Sequence, residues 1–531
     1  MSRSEVVSAP AWRGLWLAIL LGLVLLAGLG QAPLFDVDEG AFSEATREIL
    51  SSGDWGHTTL NGLDRFDKPI GVYWLQALSA LLLGLSEFSM RLPSALAAWI
   101  SALALAGFVR PRWGERPAVL AAVVHVSSLG PWAMAHAATA DALLGLWLML
   151  SALDLWRWLE NGSRTALRRL ALWVGLGLLT KGPVALLIPL AALCLTALAE
   201  RRMAPVWQAL RDVKSWLVVM GVALPWYAYA LWRHGQMFID GFFLKHNLDR
   251  FSAPMEGHAG GFAYFLLLAP VLWLPWSVWL LRWPLAWRSA WQDDLGRRAF
   301  IWAAFVVVFF SLSATKLPHY VLYAAPGVAL LVVQASRGAG RRWWLLCTLT
   351  LLVWHGLMLG LPAWLMAHPE RVADPHYRGL LETAPMTPSW AVAALAWLGG
   401  GLAWWVLRRR NLLQSRVDTF TWAALLHSLL MGLLVLPWWG QTLQGPVRDL
   451  ALQSRQWPGT VVQWDLHQPS LGFYRQAPAP RRGPEPGEMA LVRTTRLAVP
   501  DPQMEELARR GPYAVVRRLP PTSPAALEKA P

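Results

Sequence analysis

The stretch WRGLWLAILLGLVLLAGLGQAPLFDVDEGAFSEATREIL (12–50) sets two chemistries side by side. Residues 12–30 are apolar apart from Arg13, enough to cross a bilayer core. Directly after them come Asp36, Asp38 and Glu39, then a helix-forming segment with Glu44, Arg47 and Glu48 at i,i+3 and i,i+4 spacing. One apolar run behind a basic start could pass for a signal peptide, but a dozen more follow, so it reads as a retained first span. The others lie near 92–109, 116–135, 138–156, 169–181, 183–199, 215–232, 261–281, 299–314, 320–335, 343–364, 389–407 and 419–438. The expected architecture is a mainly α, polytopic membrane helix bundle of about 13 spans. Composition agrees: of 531 residues, 55% are apolar and only 15% charged. A mean hydropathy of +0.37 excludes an ordinary cytosolic enzyme. Cys194 and Cys347 both sit inside apolar runs, so neither a disulfide framework nor a thiolate metal site follows.

The net charge of +14 would suggest nucleic acid in a soluble chain. Here the basic residues fall in alternate loops: Arg110, Arg112 and Arg116, then Arg157, Arg164, Arg168 and Arg169, and so on to Arg408, Arg409 and Arg410. That bias orients a membrane protein and implies no nucleic-acid partner. It predicts a cytoplasmic N-terminus and an odd number of spans. The tail from Trp439 then lies on the opposite side. Residues 69–85 are apolar enough to cross, yet crossing would invert every later arginine cluster. They are expected to form an interfacial helix on the outer side, carried by Tyr73 and Trp74. The chain therefore divides into a transmembrane part, 1–438, with an outer loop at about 31–91, and a domain at 439–531. Short strands at 459–464, 490–494 and 513–517 predict that this tail is a small α/β domain.

The outer side gathers the polar chemistry. Asp38 and Glu39 open the loop, and Asp64 and Asp67 follow beside Lys68. Carboxylates there can take a proton from an incoming hydroxyl. Asp38 and Asp67 can also hold a divalent cation (Mg, Mn or Zn) against a phosphate, and no organic cofactor is expected. Lys181 lies at the break Thr180-Lys181-Gly182-Pro183. His246 and Arg250 lie in a loop, FFLKHNLDRF (242–251), and Lys316 and Tyr320 lie in SLSATKLPHY (311–320). Cations at several helix mouths make a cradle for phosphate or pyrophosphate, although snorkelling to lipid headgroups is the plainer alternative. Asp141, inside a predicted span, is expected to orient helices.

The motif order DEGAFSEATRE (38–48), GDWGHTTLNGLDRFDKPIGVYW (53–74), SEFSMRLPSAL (86–96), LLTKGPVALLIP (178–189), NLDRF (247–251) and SLSATKLPHYVLYAAPGVALL (311–331) resembles a known family. It is similar to bacterial lipid-linked sugar transferases, the aminoarabinose transferase and dolichyl-phosphate-mannose-type protein mannosyltransferase relatives of the GT-C class. The resemblance is strongest over 12–335 and in the tail rests on PSLGFY (469–474). It implies glycosyl transfer from a polyprenyl monophosphate to lipid A, another glycolipid or a protein. The setting it implies is the periplasmic face of a bacterial inner membrane, among membrane lipids; a monomer is one option, and the sequence leaves the oligomeric state open. By resemblance, Asp38 activates the acceptor, with Glu39 and Asp67 as further catalytic acids. Asp67 stands where relatives have Glu in an FEKP motif, associated with metal or substrate positioning. Lys68, Lys181, His246, Arg250, Lys316 and Tyr320 would face the carrier. Relatives commonly follow the DE pair with Gly-Arg-Tyr or Thr-Arg-Tyr, whereas here it is Gly40-Ala41-Phe42, which leaves sugar and acceptor open. A transporter or flippase for such a lipid is the alternative, but it would be expected to carry more polarity at mid-membrane.

Overall fold

The computed structural model describes residues 11–254, 260–384, 401, 413–498 and 501–520. Among these, seven helices are long and apolar enough to cross a membrane, or nine if two bent pairs each count as one span. The expected span at 389–407 and the frayed end from Pro520 lie outside or at the edge of the described residues. The other apolar runs all become helical, with instructive departures. The run at 116–135 bends by 65° between Glu115–Ser127 and Leu129–Ala135. The run at 261–281 bends by 119° between Tyr264–Leu272 and Ser277–Leu285. Both breaks fall beside proline or serine, where helix hydrogen bonding is interrupted. Residues 69–85 give a 13-residue helix, Gly71–Leu83. At 1.5 Å per residue it extends about 20 Å, short of a ~30 Å hydrocarbon core. Val72, Tyr73 and Ala77 are buried against the bundle, while Leu75, Leu78, Leu81 and Leu82 stay exposed. This is the division an interfacial helix needs.

The bundle core is one large apolar cluster in which Trp156, Trp273, Trp276, Trp279, Trp302 and Trp344 are fully buried. On one face the loop helix Asp38–Ser52 packs against Gly71–Leu83 and against the tail helix Ser470–Arg475. Gly40 is required there, because a Cβ would lie 2.6 Å from the Ser470 nitrogen and closer still to Asp36. After a two-stranded hairpin in the outer loop, β1 (Thr59–Leu60) and β2 (Leu63–Asp64), the tail holds a four-stranded sheet in the order β3 (Val461–Gln463), β4 (Met489–Arg493), β6 (Tyr513–Arg518), β5 (Met504–Arg510). β3 runs parallel to β4, and β6 is antiparallel to both β4 and β5. Three of these strands match the sequence reading. The fourth, MEELARR, was not expected, since its charges obscure strand alternation; it is an edge strand, where charged side chains keep the sheet from pairing further. The chain is helical without interruption from Val417 to Gln456, across residue 438.

Candidate active site

The DE pair splits in two. Asp38, first residue of the loop helix, is exposed at its N-terminus, where backbone dipoles favour a carboxylate. Its charge reaches both Arg65 and His319. Glu39 points the other way and is buried. Arg91 donates to it bidentately, Nε to Oε1 at 2.8 Å and Nη2 to Oε2 at 2.7 Å. The backbone N–H groups of Phe35 (2.9 Å) and Ala138 (2.6 Å) complete its shell. Arg91, fully buried, also donates to the carbonyls of Leu29, Ala32 and Pro33 at 2.7–3.0 Å. It thereby locks the end of the first span to the loop and to the helix Glu87–Trp113.

Asp67 and Lys68 lie in the wall of a different place. A cavity of about 260 Å³ is lined by Asp67, Lys68, Lys181, His246, Arg250 and Tyr320 together with Tyr323 and Asn247. Six of the nine sequence-predicted site residues thus meet around one space. Apart from Ser313, its remaining wall is apolar: Pro183, Val184, Leu187, Phe251, Phe309 and Phe310. Lys181 ends the helix Arg164–Lys181, and Gly182 follows with φ 85°, a turn only glycine adopts easily; a Cβ there would also lie 2.7 Å from the Phe242 ring. The segment 242–251, expected as a loop, is instead largely a wide π-type helical turn, Ile239–Asp249, that presents His246 to the cavity. Such turns recur at functional sites.

Ion pairing fixes the walls. Asp67 receives Arg65 on Oδ2 at 3.1 Å, while His246 Nε2 lies 2.8 Å from Oδ1. Burial works against the Asp67 charge, but the His246 hydrogen bond and the Arg65 guanidinium hold its pKa well below the usual carboxylate range. Lys181 pairs with Asp141 and donates to the Tyr323 hydroxyl at 2.8 Å; Tyr323 in turn donates to Asp141 at 2.6 Å. Burial, then the Lys181 and Arg250 charges, push the Lys68 ammonium down to about 7. Three basic side chains and one carboxylate therefore line the cavity beside an imidazole, a surplus suited to an anion.

Lys316 is placed differently from the other cations. It is buried, and its ammonium donates to the carbonyls of Phe310 (3.2 Å), Ser311 (2.6 Å) and Ser313, capping the end of the helix Asp294–Leu312. Sequence reasoning passed over Arg65, although its i,i+2 spacing from Asp67 was the available signal, and it gave Tyr323 no role.

The residues around Asp67 do not make a closed cation site, because Arg65 and His246 already occupy both carboxylate oxygens. Among the described residues, three His, Cys, Asp or Glu donors gather at His57, Asp64 and His234.

The loop side is tied to the tail through Asp36. Its oxygens accept from the Ser470 N–H at 2.9 Å and from the Ser470 hydroxyl, while burial raises its pKa to about 7.

The chain is similar to known proteins. Residues 67–232 match the family described as dolichyl-phosphate-mannose-protein mannosyltransferase. The undecaprenyl phosphate-alpha-4-amino-4-deoxy-L-arabinose arabinosyl transferase of Edwardsiella ictaluri is 30% identical over 327 residues, 60% of this chain and 58% of that protein. Its namesake from Pseudomonas aeruginosa strain UCBPP-PA14 is 32% identical over 333 residues, again covering 60% and 58%. The chain thus matches 58% of the length of these relatives. The crystal structure of ArnT from Cupriavidus metallidurans bound to undecaprenyl phosphate superposes with a TM-score of 0.80 at 22% identity, over 96% of this chain and 98% of that one. The chain has the GT-C fold. The resemblance read from the sequence is borne out by these matches.

Proposed function

We propose that this GT-C chain transfers a glycosyl unit from a polyprenyl monophosphate carrier to an acceptor at the periplasmic face of a bacterial inner membrane. One observation carries the reading: the cavity lining joins cationic side chains to an apolar wall. A lipid-borne phosphate needs both at once. The phosphate would sit among Lys68, Lys181 and Arg250, with the first isoprenes along Val184, Leu187, Phe251 and Phe309. Undecaprenyl-linked aminoarabinose and lipid A are the substrates that the relatives' names and the family resemblance suggest, although Gly40-Ala41-Phe42 leaves this pairing open.

In the reaction, the acceptor hydroxyl loses its proton to the Asp38 carboxylate as its oxygen bonds to the anomeric carbon. The bond from that carbon to the phosphate oxygen breaks, and polyprenyl phosphate departs with the electron pair. Lys181 and Arg250 hold the charge it keeps. Asp67 keeps its carboxylate facing Arg65 and His246, and so holds the loop in register.

The test is transfer by purified protein in nanodiscs, using undecaprenyl-phosphate aminoarabinose with lipid A and mass spectrometry of both lipids. Wild type should form product, and Asp38→Asn should lower turnover by about 10²–10⁴-fold while retaining carrier binding. Translocation of the intact donor lipid without transfer would favour the transporter reading instead.

A further inference from the structure

Outside the cavity, a second polar cluster joins the acidic loop to the helix Val213–His234. The hairpin of β1 (Thr59–Leu60) and β2 (Leu63–Asp64) pairs Thr59 with Asp64, and the Arg65 N–H donates to the Thr58 carbonyl at 2.9 Å. This pairing brings His57 and Asp64 together, with His57 Nε2 and Asp64 Oδ1 2.9 Å apart. His234, the last residue of its helix, lays its ring 4.2 Å from that of His57. One ligand atom from each of the three residues lies within 4.8 Å of the others. His234 Nε2 is buried and has no hydrogen-bond partner. The surrounding frame is already fixed: Arg233 pairs with Asp54 at 2.7 Å, and Trp226 Nε1 donates to the Gly56 carbonyl at 3.0 Å.

We propose that His57, Asp64 and His234 form a binding site for a zinc-class divalent cation that clasps the hairpin to the end of the helix. Two imidazole nitrogens and one carboxylate oxygen suit zinc and its neighbours, whereas magnesium and calcium demand oxygen donors. Zinc–nitrogen bonds of about 2.0–2.1 Å in a tetrahedron put the donors roughly 3.3 Å apart. With one donor atom of each residue within 4.8 Å of the others, the cluster would have to close by about 1.5 Å at most to reach that spacing. The Asp64 side chain is 48% exposed, which leaves a fourth position for water. The unpartnered His234 nitrogen gains a ligand in place of an unsatisfied buried acceptor. Because Asp67 and Lys68 come three and four residues after Asp64 in the chain, the clasp would also steady the segment that leads into the cavity wall.

The site is testable without activity. The full chain, stripped of metal and held in nanodiscs, is titrated with zinc against a chromophoric chelator, and its Tm is read with and without zinc. Wild type should bind one equivalent that His57→Gln and His234→Gln each lose and His246→Gln keeps. Asp64→Asn, at an exposed position that does not threaten folding, should weaken binding by more than about tenfold, the least expected for losing a direct ligand. Zinc should raise the wild-type Tm and leave that of His234→Gln unchanged. Wild type that binds no zinc at micromolar free metal overturns the proposal. So does unchanged affinity in Asp64→Asn and both histidine variants, or loss of the equivalent in His246→Gln alone.

Discussion

Glu39 and Asp67 are carboxylates of the same loop, and each meets an arginine, yet they do opposite work. Glu39 is enclosed by the Arg91 fork and two backbone N–H groups, a neutral set with no position left for a ligand. Asp67 lies in a wall where Lys68, Lys181 and Arg250 outnumber it. A buried ion pair with every hydrogen bond made is architecture, since its energy is spent on desolvation and alignment. A wall with a surplus of positive charge suits an anion, even with Lys181 paired to Asp141. Both carboxylates have their oxygens engaged, so the difference lies in the charge balance of the surroundings.

The sharpest way to break this comparison is to open the closed pair. Arg91→Met would leave Glu39 buried and uncompensated, and should cost about 3–5 kcal/mol of stability, read as a fall in Tm and rapid proteolysis of the loop. Replacing both partners, Glu39→Leu with Arg91→Met, should recover much of that loss, because an apolar pair leaves no stranded charge. If the single variant is as stable as wild type, the pair does not hold the loop and the contrast with Asp67 fails.

A second experiment compares two lysines that the sequence treats alike. Lys181 and Lys316 each follow Thr at a break between apolar segments, and each resembles a carrier contact. Lys181 lines the cavity, while Lys316 turns inward to cap carbonyls. Lys181→Gln should weaken carrier binding by about 1.5–3 kcal/mol, the range for a hydrogen bond to a charged group. Lys316→Gln should leave carrier affinity near wild type and lower Tm instead. Equal losses of affinity would return Lys316 to the cradle.

These pairs also mark what the sequence could and could not disclose. Apolar run length fixes where helices form, and the alternating arginines keep Gly71–Leu83 out of the span count, because both are one-dimensional signals. Six of the predicted site residues converge because motifs at helix breaks fall at bundle mouths. The direction of a side chain is another matter. Asp38 and Glu39 are consecutive on a helix, so about 100° of rotation sends one outward and the other into the core, and only the position of Arg91 decides which. The Lys316 carbonyl cap depends on how the chain turns after Leu312. The edge strand Met504–Arg510 is stabilised by its neighbour Tyr513–Arg518, which local propensity does not encode.

The smallest effect concerns Lys68, and it tests the open side of the comparison directly. Burial and the facing Lys181 and Arg250 lower its pKa to about 7, while Asp67 opposes that shift and Arg65 adds to it. At neutral pH the free protein therefore holds this lysine about half protonated. A bound phosphate supplies the missing negative charge and returns the ammonium toward its ordinary range. The sign follows: binding takes up a proton, so affinity is full below pH 7 and falls as pH rises through it. Between pH 7 and pH 8 the loss should be about fivefold, and calorimetry in two buffers at pH 7 should register uptake of about half a proton. Lys68→Arg, charged throughout, should flatten the profile over that interval. A wild-type affinity constant from pH 6 to pH 8 would mean that Lys68 does not meet the phosphate, and that the surplus of positive charge is balanced elsewhere in the wall.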